Sequence, residues 1–204
     1  MKPTARPISE PQNRKVFVSP ADCRLNVYQS LETAQELWIK GEGFSLKSLL
    51  NDDKLAQKYE GGSLVIARLA PQDYHRYHSP VTGTILAMES VPGTFYTVNP
   101  IAINQRIDVY GANKRVVVPI ETEEFGEVCF VAIGATMVGS IIMTTSPGDT
   151  IQKGDELGYF AFGGSTCLVL FRPGTVTFDR DLITNSAKPI ETLVKVGSRI
   201  GVAN

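Results

Sequence analysis

A hydroxyl, two imidazoles and a carboxylate in this chain could together activate a serine as a nucleophile. The two histidines, His75 and His78, lie three residues apart. On a helical turn they would share a face, whereas on a strand they would face opposite sides. Ser165 follows a pair of glycines, and Asp22 follows Pro20 in a segment typical of a turn. Aspartate, histidine and serine are the set that makes a serine hydroxyl reactive.

Each of these features also has a purely structural explanation. Two glycines before Ser165 suit a plain hairpin, and the strand expected after it excludes the strand-to-helix turn of a nucleophile elbow. An aspartate placed like Asp22 usually bonds the backbone of its own turn. The histidines could pack between Tyr74 and Tyr77. No metal site is predicted, because further ligands would be needed and no cysteine lies near the histidines in the sequence.

Strands are expected to position most of these side chains. β-Branched and aromatic residues recur in short runs that glycine, proline and asparagine punctuate, which is typical of strands. Early strands are predicted at Val16–Val18 and Arg24–Tyr28. The later predicted strands are Leu64–Leu69, Thr84–Val91, Phe95–Val98, Arg115–Ile120, Val128–Ile133, Val138–Thr144, Leu157–Phe162 and Thr166–Phe171.

Two short helices are predicted among the strands. Apolar residues recur at helical spacing in Phe44–Leu50, where Ser45 is placed to cap the helix. The second helix is predicted at Pro71–Tyr77, because proline suits the first position of a helical turn and Pro80 would end it. This second helix would bring both histidines to one face.

Two segments indicate how the strands are arranged. Ser79–Ile85 resembles the opening of a biotinyl/lipoyl-type domain, and Pro147–Leu157 resembles the turn and strand that close one. The resemblance implies two facing sheets that form a flattened barrel. Gly148 and Gly154 would permit positive φ at tight corners, so we interpret them as turn residues and not as an anion site. The expected fold class is therefore mainly β with minor α.

Length and composition favour a single domain over residues 1–204. The net charge of −1 gives no argument for a nucleic-acid partner. The three cysteines, Cys23, Cys129 and Cys167, are odd in number and lie far apart, which fits no zinc spacing. We expect a reducing, intracellular compartment, with Cys129 and Cys167 as buried thiols in apolar runs.

One segment has nearly the length of a membrane-spanning helix. No charged residue occurs from Val128 to Gly148, and a spanning helix needs about 20 apolar residues. Glycine, serine and threonine interrupt the segment, and β-branched residues dominate the rest of it. We therefore predict two buried strands with a bend near Gly134, so that any membrane contact would be peripheral.

Several motifs together resemble one enzyme family. Asp73–Pro80 reads DYHRYHSP, which matches a signature of phosphatidylserine decarboxylases, and Gly163–Thr166 corresponds to the family's cleavage tetrapeptide. The resemblance runs from about Arg6 to Gly201, nearly the whole chain. Further family segments occur in the right order at Val98–Pro100, Asn113–Arg115, Val138–Ile141 and Lys153–Gly158.

The resemblance implies an enzyme that cleaves itself. In the family, the bond corresponding to Gly164–Ser165 is cut and the serine becomes a covalent pyruvoyl group, which serves as the cofactor. Asp22, His78 and Ser165 match the residues of the self-processing triad. His75 matches a histidine that is implicated in the decarboxylation step.

The implied reaction is decarboxylation of phosphatidylserine to phosphatidylethanolamine. Cleavage would give a β chain of residues 1–164 and an α chain of residues 165–204, and the two products would stay associated. The lipid substrate implies peripheral attachment to an intracellular membrane surface. Assembly into a homo-oligomer stays open.

Three other functions remain as alternatives. Relatives that decarboxylate free aromatic amino acids such as tryptophan tend to vary the cleavage tetrapeptide and the segment near Val98–Pro100, and this chain keeps the phospholipid-type pattern in both. A lipoyl-like binding module without activity would not need Asp22, both histidines and Ser165. An enzyme dependent on pyridoxal phosphate would need a dedicated lysine and a phosphate cradle, and we identify neither.

Overall fold

The structure of the protein is a computed structural model that describes residues 5–39, 44–100, 108–136, 140–161, 165–188 and 190–204. Within these residues the protein has fifteen strands and five short helices. The strands are β1 (Val16–Val18), β2 (Cys23–Tyr28), β3 (Ser63–Leu69), β4 (Arg76–His78), β5 (Gly83–Ile85), β6 (Glu89–Val91), β7 (Arg115–Thr122), β8 (Gly126–Gly134), β9 (Ser140–Met143), β10 (Thr150–Ile151), β11 (Glu156–Ala161), β12 (Ser165–Phe171), β13 (Val176–Phe178), β14 (Thr192–Val194) and β15 (Arg199–Ala203). The helices are α1 (Leu31–Leu37), α2 (Leu46–Leu50), α3 (Asp53–Gln57), α4 (Val109–Ala112) and α5 (Arg180–Ser186).

A nine-stranded antiparallel sheet forms the centre of the fold. Its order is β10-β5-β7-β8-β12-β3-β2-β14, and β6 pairs with β7 beside this path. β12 lies between β3 and β8, and all seven of its residues are buried. Cys167 and Val169 point into one apolar core, while Leu168 and Leu170 point into another. Because both faces of β12 are covered, its sequence is an almost continuous apolar run.

Two three-stranded sheets and helix α5 cover one face of the large sheet, and helices α1 to α4 cover the other. The small sheets have the orders β1-β15-β13 and β4-β11-β9. Phe17 of β1 packs against Phe171 with ring centroids 5.0 Å apart, and Tyr77 of β4 packs against Phe130 at 5.5 Å. The mainly β class is confirmed. The flattened barrel is not, because in the described residues the large sheet ends at β10 and β14 instead of closing.

The two glycine turns expected from the lipoyl-like segments are present. Gly148 and Gly154 have φ angles of 91° and 90°. The aspartate that follows each glycine, Asp149 or Asp155, accepts a hydrogen bond from the backbone N–H three residues before it. The two segments also pair with each other, through β5 and β10. Their interpretation as turns is therefore confirmed.

The predicted helix at Pro71–Tyr77 is wrong. Arg76–His78 forms strand β4, which pairs with β11, and the buried Tyr77 ring anchors this strand in the core. The prolines at both ends of the segment indicate only which backbone conformation the local sequence favours. The partner strand lies far later in the chain, where no local pattern signals it, and its pairing overrides that preference.

The predicted strand at Phe95–Val98 is also wrong, although the segment is rich in strand-forming residues. The backbone of Tyr96 bonds the side chain of Asn113 instead of a neighbouring strand. The predicted helix at Phe44–Leu50 is confirmed as α2, and the Ser45 hydroxyl caps it by accepting from the N–H of Ser48 at 3.0 Å.

The uncharged segment Val128–Gly148 contains strands β8 and β9, as its β-branched composition predicted. Only β8 is buried as expected, because the residues of β9 are half-buried or exposed. β8 ends at Gly134, where the bend was expected. Residues 137–139 lie outside the described part of the chain. None of the described helices has the length and apolar character needed to cross a bilayer.

The three cysteines are buried free thiols. Burial raises the pKa of the Cys23 thiol to about 12, and it also raises the pKa of Cys167. Because the thiolate is the reactive form, these side chains are expected to act as packing residues. The buried-thiol interpretation of Cys129 and Cys167 is confirmed.

Candidate active site

Ser165 lies at the first position of β12, and none of its surface is exposed. Its backbone is held between Leu69 of β3 and Gly134 of β8. Its Oγ lies 3.4 Å from Nδ1 of His75, a long hydrogen bond of the kind found in resting active sites. The other partner of the expected scissile bond, Gly164, lies outside the described residues.

The pairing of β4 with β11 positions His75, which lies just before β4. The backbone carbonyl of His75 accepts a hydrogen bond from the N–H of Phe160 at 2.9 Å. The next residue, Arg76, pairs with Glu156 at 2.6 Å and lies 4.8 Å from the ring centroid of Tyr159. These contacts fix the chain on either side of the imidazole and direct it towards the start of β12.

His78 has a tautomer that can be inferred from its partner. Its Nδ1 lies 2.8 Å from the backbone oxygen of Gly154. A carbonyl oxygen only accepts hydrogen bonds, so Nδ1 carries a proton, and in the neutral imidazole Nε2 then holds the lone pair. His78 is 7% exposed, and Nε2 is buried with no hydrogen-bond partner in the described part of the chain. This nitrogen is therefore a basic group in a protected position.

Asp22 is held by cations and by the backbone. Its carboxylate accepts from Nε of Arg6 at 2.9 Å and from the N–H of Val196 at 2.9 Å, and Nζ of Lys195 lies 3.4 Å away. Burial alone would raise the pKa of Asp22, but the hydrogen bonds from Arg6 and Val196 and the charges of Arg6 and Lys195 together hold it below its ordinary value. The carboxylate is therefore charged, and these groups saturate it with donors.

The structure brings some of the expected site residues together and not others. Ser165 meets His75, whereas the expected hydrogen bonds of His78 with Ser165 and of Asp22 with His78 do not occur among the described residues. His78 and Asp22 nevertheless belong to adjoining segments, since the N–H of His78 donates to the carbonyl of Pro20 at 2.8 Å. In a triad the aspartate would bond Nδ1 of the histidine. Here the backbone carbonyl of Gly154 bonds Nδ1 of His78 instead of the Asp22 carboxylate.

Sequence reasoning missed two members of this site. Nothing in the local sequence indicates that Arg6 pairs with Asp22, because sixteen residues separate the two. The role of Gly154 has no signal in the sequence, because every residue has a backbone carbonyl and only the fold decides where it points.

Comparison with known proteins assigns the chain to a family. A family model described as phosphatidylserine decarboxylase matches residues 1–202. The chain belongs to the phosphatidylserine decarboxylase family. The resemblance expected from Asp73–Pro80 and Gly163–Thr166 is therefore confirmed.

Relatives from fungi, plants and bacteria are similar over nearly the whole chain. The identity is 52% to phosphatidylserine decarboxylase proenzyme 3 of Schizosaccharomyces pombe, covering 98% of this chain and 21% of that protein. The identity is also 52% to phosphatidylserine decarboxylase proenzyme 2 of Oryza sativa subsp. japonica, covering 100% of this chain and 33% of that protein. The identity is 42% to the phosphatidylserine decarboxylase proenzyme of Fusobacterium nucleatum, covering 93% of this chain and 63% of that protein. The chain thus spans less than two thirds of the length of each of these relatives.

In this member of the phosphatidylserine decarboxylase family, replacing Arg6 should destabilise the fold. Arg6→Gln leaves the buried Asp22 carboxylate, whose side chain is 3% exposed, with weaker compensation. We expect a loss of about 1–3 kcal/mol in the free energy of unfolding at neutral pH, the usual cost of removing a hydrogen-bond partner from a buried acceptor, because Lys195 and Val196 still contact Asp22. The depressed pKa of Asp22 contributes stability above about pH 4, so the difference should shrink as the pH falls through the folded-state pKa.

Urea unfolding at a series of pH values measures this effect. Arg14→Gln is the matched control, because the Arg14–Glu123 pair has side chains that are 46% and 77% exposed, and exposed pairs contribute about 0–1 kcal/mol. Equal losses in the two variants, or a difference that grows at acid pH, would contradict the assignment of Arg6 as the main counter-ion of Asp22.

Proposed function

We propose that this chain decarboxylates phosphatidylserine to phosphatidylethanolamine after it has cut its own Gly164–Ser165 bond. The observation that carries the proposal is a buried serine hydroxyl within reach of His75, at the start of a central strand, in a chain of this family. The relatives are named proenzymes, which supports a self-processing step.

Maturation begins at the Ser165 hydroxyl. His78 is proposed to take its proton on Nε2, while Ser165 Oγ attacks the Gly164 carbonyl carbon and the amide becomes an ester. For this step the side chains must move from the observed arrangement, in which Ser165 bonds His75. Loss of the α-proton of residue 165 then breaks the bond between its Cβ and Oγ. The oxygen leaves as part of the Gly164 carboxylate, and residue 165 becomes dehydroalanine. Addition of water and loss of ammonia convert dehydroalanine to pyruvoyl.

The surroundings of Ser165 fit a pyruvoyl group. Residue 165 is fully buried, and Nε2 of both His75 and His78 is buried without a hydrogen-bond partner among the described residues. When present, the pyruvoyl carbonyl supplies the electron sink that removal of CO₂ from an amino acid requires. His75, which already lies beside residue 165, is proposed to move the proton to the carbon that has lost CO₂. β12 keeps the reacting residue fixed and away from bulk water.

The two cleavage products are expected to stay associated without a disulfide. Residues 165–204 contain β12 at the centre of the large sheet, β15 beside β1, and β14 beside β2. Each of these contacts is a set of backbone hydrogen bonds or buried apolar surface that cleavage before residue 165 leaves in place. All three cysteines are free thiols, so the non-covalent contacts must hold the products together.

CO₂ release from defined substrates tests the proposed function. Processed protein should release CO₂ from phosphatidylserine dispersed in detergent and leave free tryptophan unchanged, and Ser165→Ala serves as the blank. Turnover of tryptophan in preference to phosphatidylserine would assign the chain to the amino-acid decarboxylases instead. Release from neither substrate by a fully processed protein would overturn the proposed function.

A further inference from the structure

Apolar side chains are exposed on both sides of the sheet end at which Ser165 lies. Most large hydrophobic residues of the described part of the chain are buried; a single exposed one is ordinary, but several that share one part of the surface can mark an interaction site. One exception, Leu86, belongs to another part of the large sheet, next to Pro119. The exposed large hydrophobic residues are Leu86, Phe95, Tyr96, Ile190 and Leu193.

Phe95 and Tyr96 are fixed next to the strand that neighbours Ser165. Their side chains are 41% and 44% exposed. The Asn113 side chain accepts from the N–H of Tyr96 and donates to its carbonyl, both at 2.8 Å, and also donates to the carbonyl of Gly134 at 2.9 Å. Gly134 is the residue of β8 that pairs with Ser165. The two aromatic rings are therefore held one strand away from the site.

Ile190 and Leu193 lie on the other side of the site, and are 50% and 62% exposed. Leu193 belongs to the edge strand β14 and pairs with Arg24 of β2. β2 and β3 separate β14 from β12, which corresponds to about 14 Å at ~4.8 Å per strand. The Ile190 carbonyl accepts from the side chain of Asn26 at 3.3 Å, which ties this segment to β2 at the level of Leu168, three residues along β12 from Ser165.

Basic residues flank these aliphatic side chains. Lys188 is exposed. The side chain of Lys195 is 51% exposed, and its Nζ also lies 3.4 Å from the carboxylate of Asp22, which Arg6 already pairs. Glu191, the acidic residue between them, is neutralised by an ion pair with Arg68 in which both side chains are 15% exposed. The outward surface of this segment is therefore apolar and positively charged.

We propose that Phe95, Tyr96, Ile190 and Leu193 form a lipid-contact rim that docks on an anionic phospholipid bilayer. Aromatic residues favour the interface between headgroups and acyl chains, and lysines favour a negatively charged leaflet. Lys188 and Lys195 complement the charge of such a surface. Docking would bring lipid headgroups to the sheet end that carries Ser165. The inference rests on the proposed function, since it names the surface from which that substrate reaches the site.

Vesicle co-sedimentation tests the rim without measuring activity. Processed protein should bind vesicles of phosphatidylcholine with phosphatidylserine more tightly than vesicles of phosphatidylcholine alone. Ile190→Asp/Leu193→Asp should lower the partition coefficient by about tenfold or more, because it removes apolar contact and adds repelled charge. Leu86→Asp is the matched control: Leu86 is 47% exposed but lies outside the rim, and its partition should equal that of the wild type.

The remaining outcomes separate this inference from the proposed function. Both variants should still cleave and should act like wild type on a short-chain phosphatidylserine dispersed below vesicle-forming conditions. Equal vesicle binding by the double variant and wild type would overturn the rim, as would the absence of binding by the wild type. A wild-type oligomer that the double variant dissociates, with no vesicle binding by either, would assign β14 to a protein contact and overturn the rim as well. Loss of the proposed function would appear instead as failure on the dispersed substrate.

Discussion

Ser165→Ala is expected to leave the protein as one uncleaved chain with no decarboxylase activity. Alanine has no oxygen to attack the carbonyl of Gly164, so neither the ester nor the pyruvoyl group can form. The fold should persist, because residue 165 is held by backbone pairing to β3 and β8 and alanine fits the same buried space. Denaturing electrophoresis and CO₂ release measure the two losses.

Thr166→Val is the matched control for this prediction. Thr166 also has a buried hydroxyl, and its Oγ1 has no hydrogen-bond partner among the described residues. Successive side chains of a strand face opposite sides of the sheet, so Thr166 points away from His75. The variant should be cleaved like wild type. Cleavage of the Ser165→Ala variant would show that Ser165 is not the nucleophile. A block of cleavage in Thr166→Val alone would show the same.

Replacement of each histidine should stop a different stage of the reaction. His78→Ala should slow cleavage by about 10²–10⁴-fold, the usual contribution of a general base. His75→Ala should cleave and then lose decarboxylase activity by a similar factor, because His75 lies beside the residue that becomes pyruvoyl. Time courses of cleavage and rates of CO₂ release by the cleaved fraction measure the two stages separately.

A second substitution protects this test from a folding defect. His78→Asn keeps a donor that can reach the Gly154 carbonyl but has no basic nitrogen, so it should fold and remain uncleaved. The structure shows His75 nearer than His78 to the serine hydroxyl. If His75→Ala fails to cleave while His78→Asn matures normally, His75 is the base for maturation and the proposed division of roles is wrong.

The central strands could be predicted from the sequence because local composition and burial agree there. Val128–Ile133 and Thr166–Phe171 are apolar on both faces, and they form the middle of the large sheet. Where a distant partner decides the structure, local reasoning failed. Arg76–His78 pairs with a strand far later in the chain, and Asn113 holds the backbone at Tyr96 with its side chain; neither contact leaves a local pattern.

Helices α1, α4 and α5 were not predicted, although α1 has a usable signal. The Ser30 hydroxyl accepts from the N–H of Thr33, and the buried Leu31 and Ala34 are spaced as on one helical face. α1 has only seven residues, which is shorter than the window over which helical periodicity can be recognised.

The sequence predicted which residues belong to the candidate site better than it predicted how those residues are arranged. The family motifs identified Asp22, His75, His78 and Ser165, because motifs preserve which side chains are present. They contain no information on rotamers or backbone partners. The contacts of His78 with Gly154 and of Asp22 with Arg6 follow from how separate segments meet in the fold.

The most direct test of the pyruvoyl assignment is the intact mass of the purified protein under denaturing conditions. Two components are expected, residues 1–164 and residues 165–204, and the smaller should be lighter by one ammonia than a chain that begins with serine. Reduction with borohydride in the presence of phosphatidylserine should add mass to the smaller component alone. A single full-length component that decarboxylates phosphatidylserine, or an active smaller component with a free amino-terminal serine, would contradict the account.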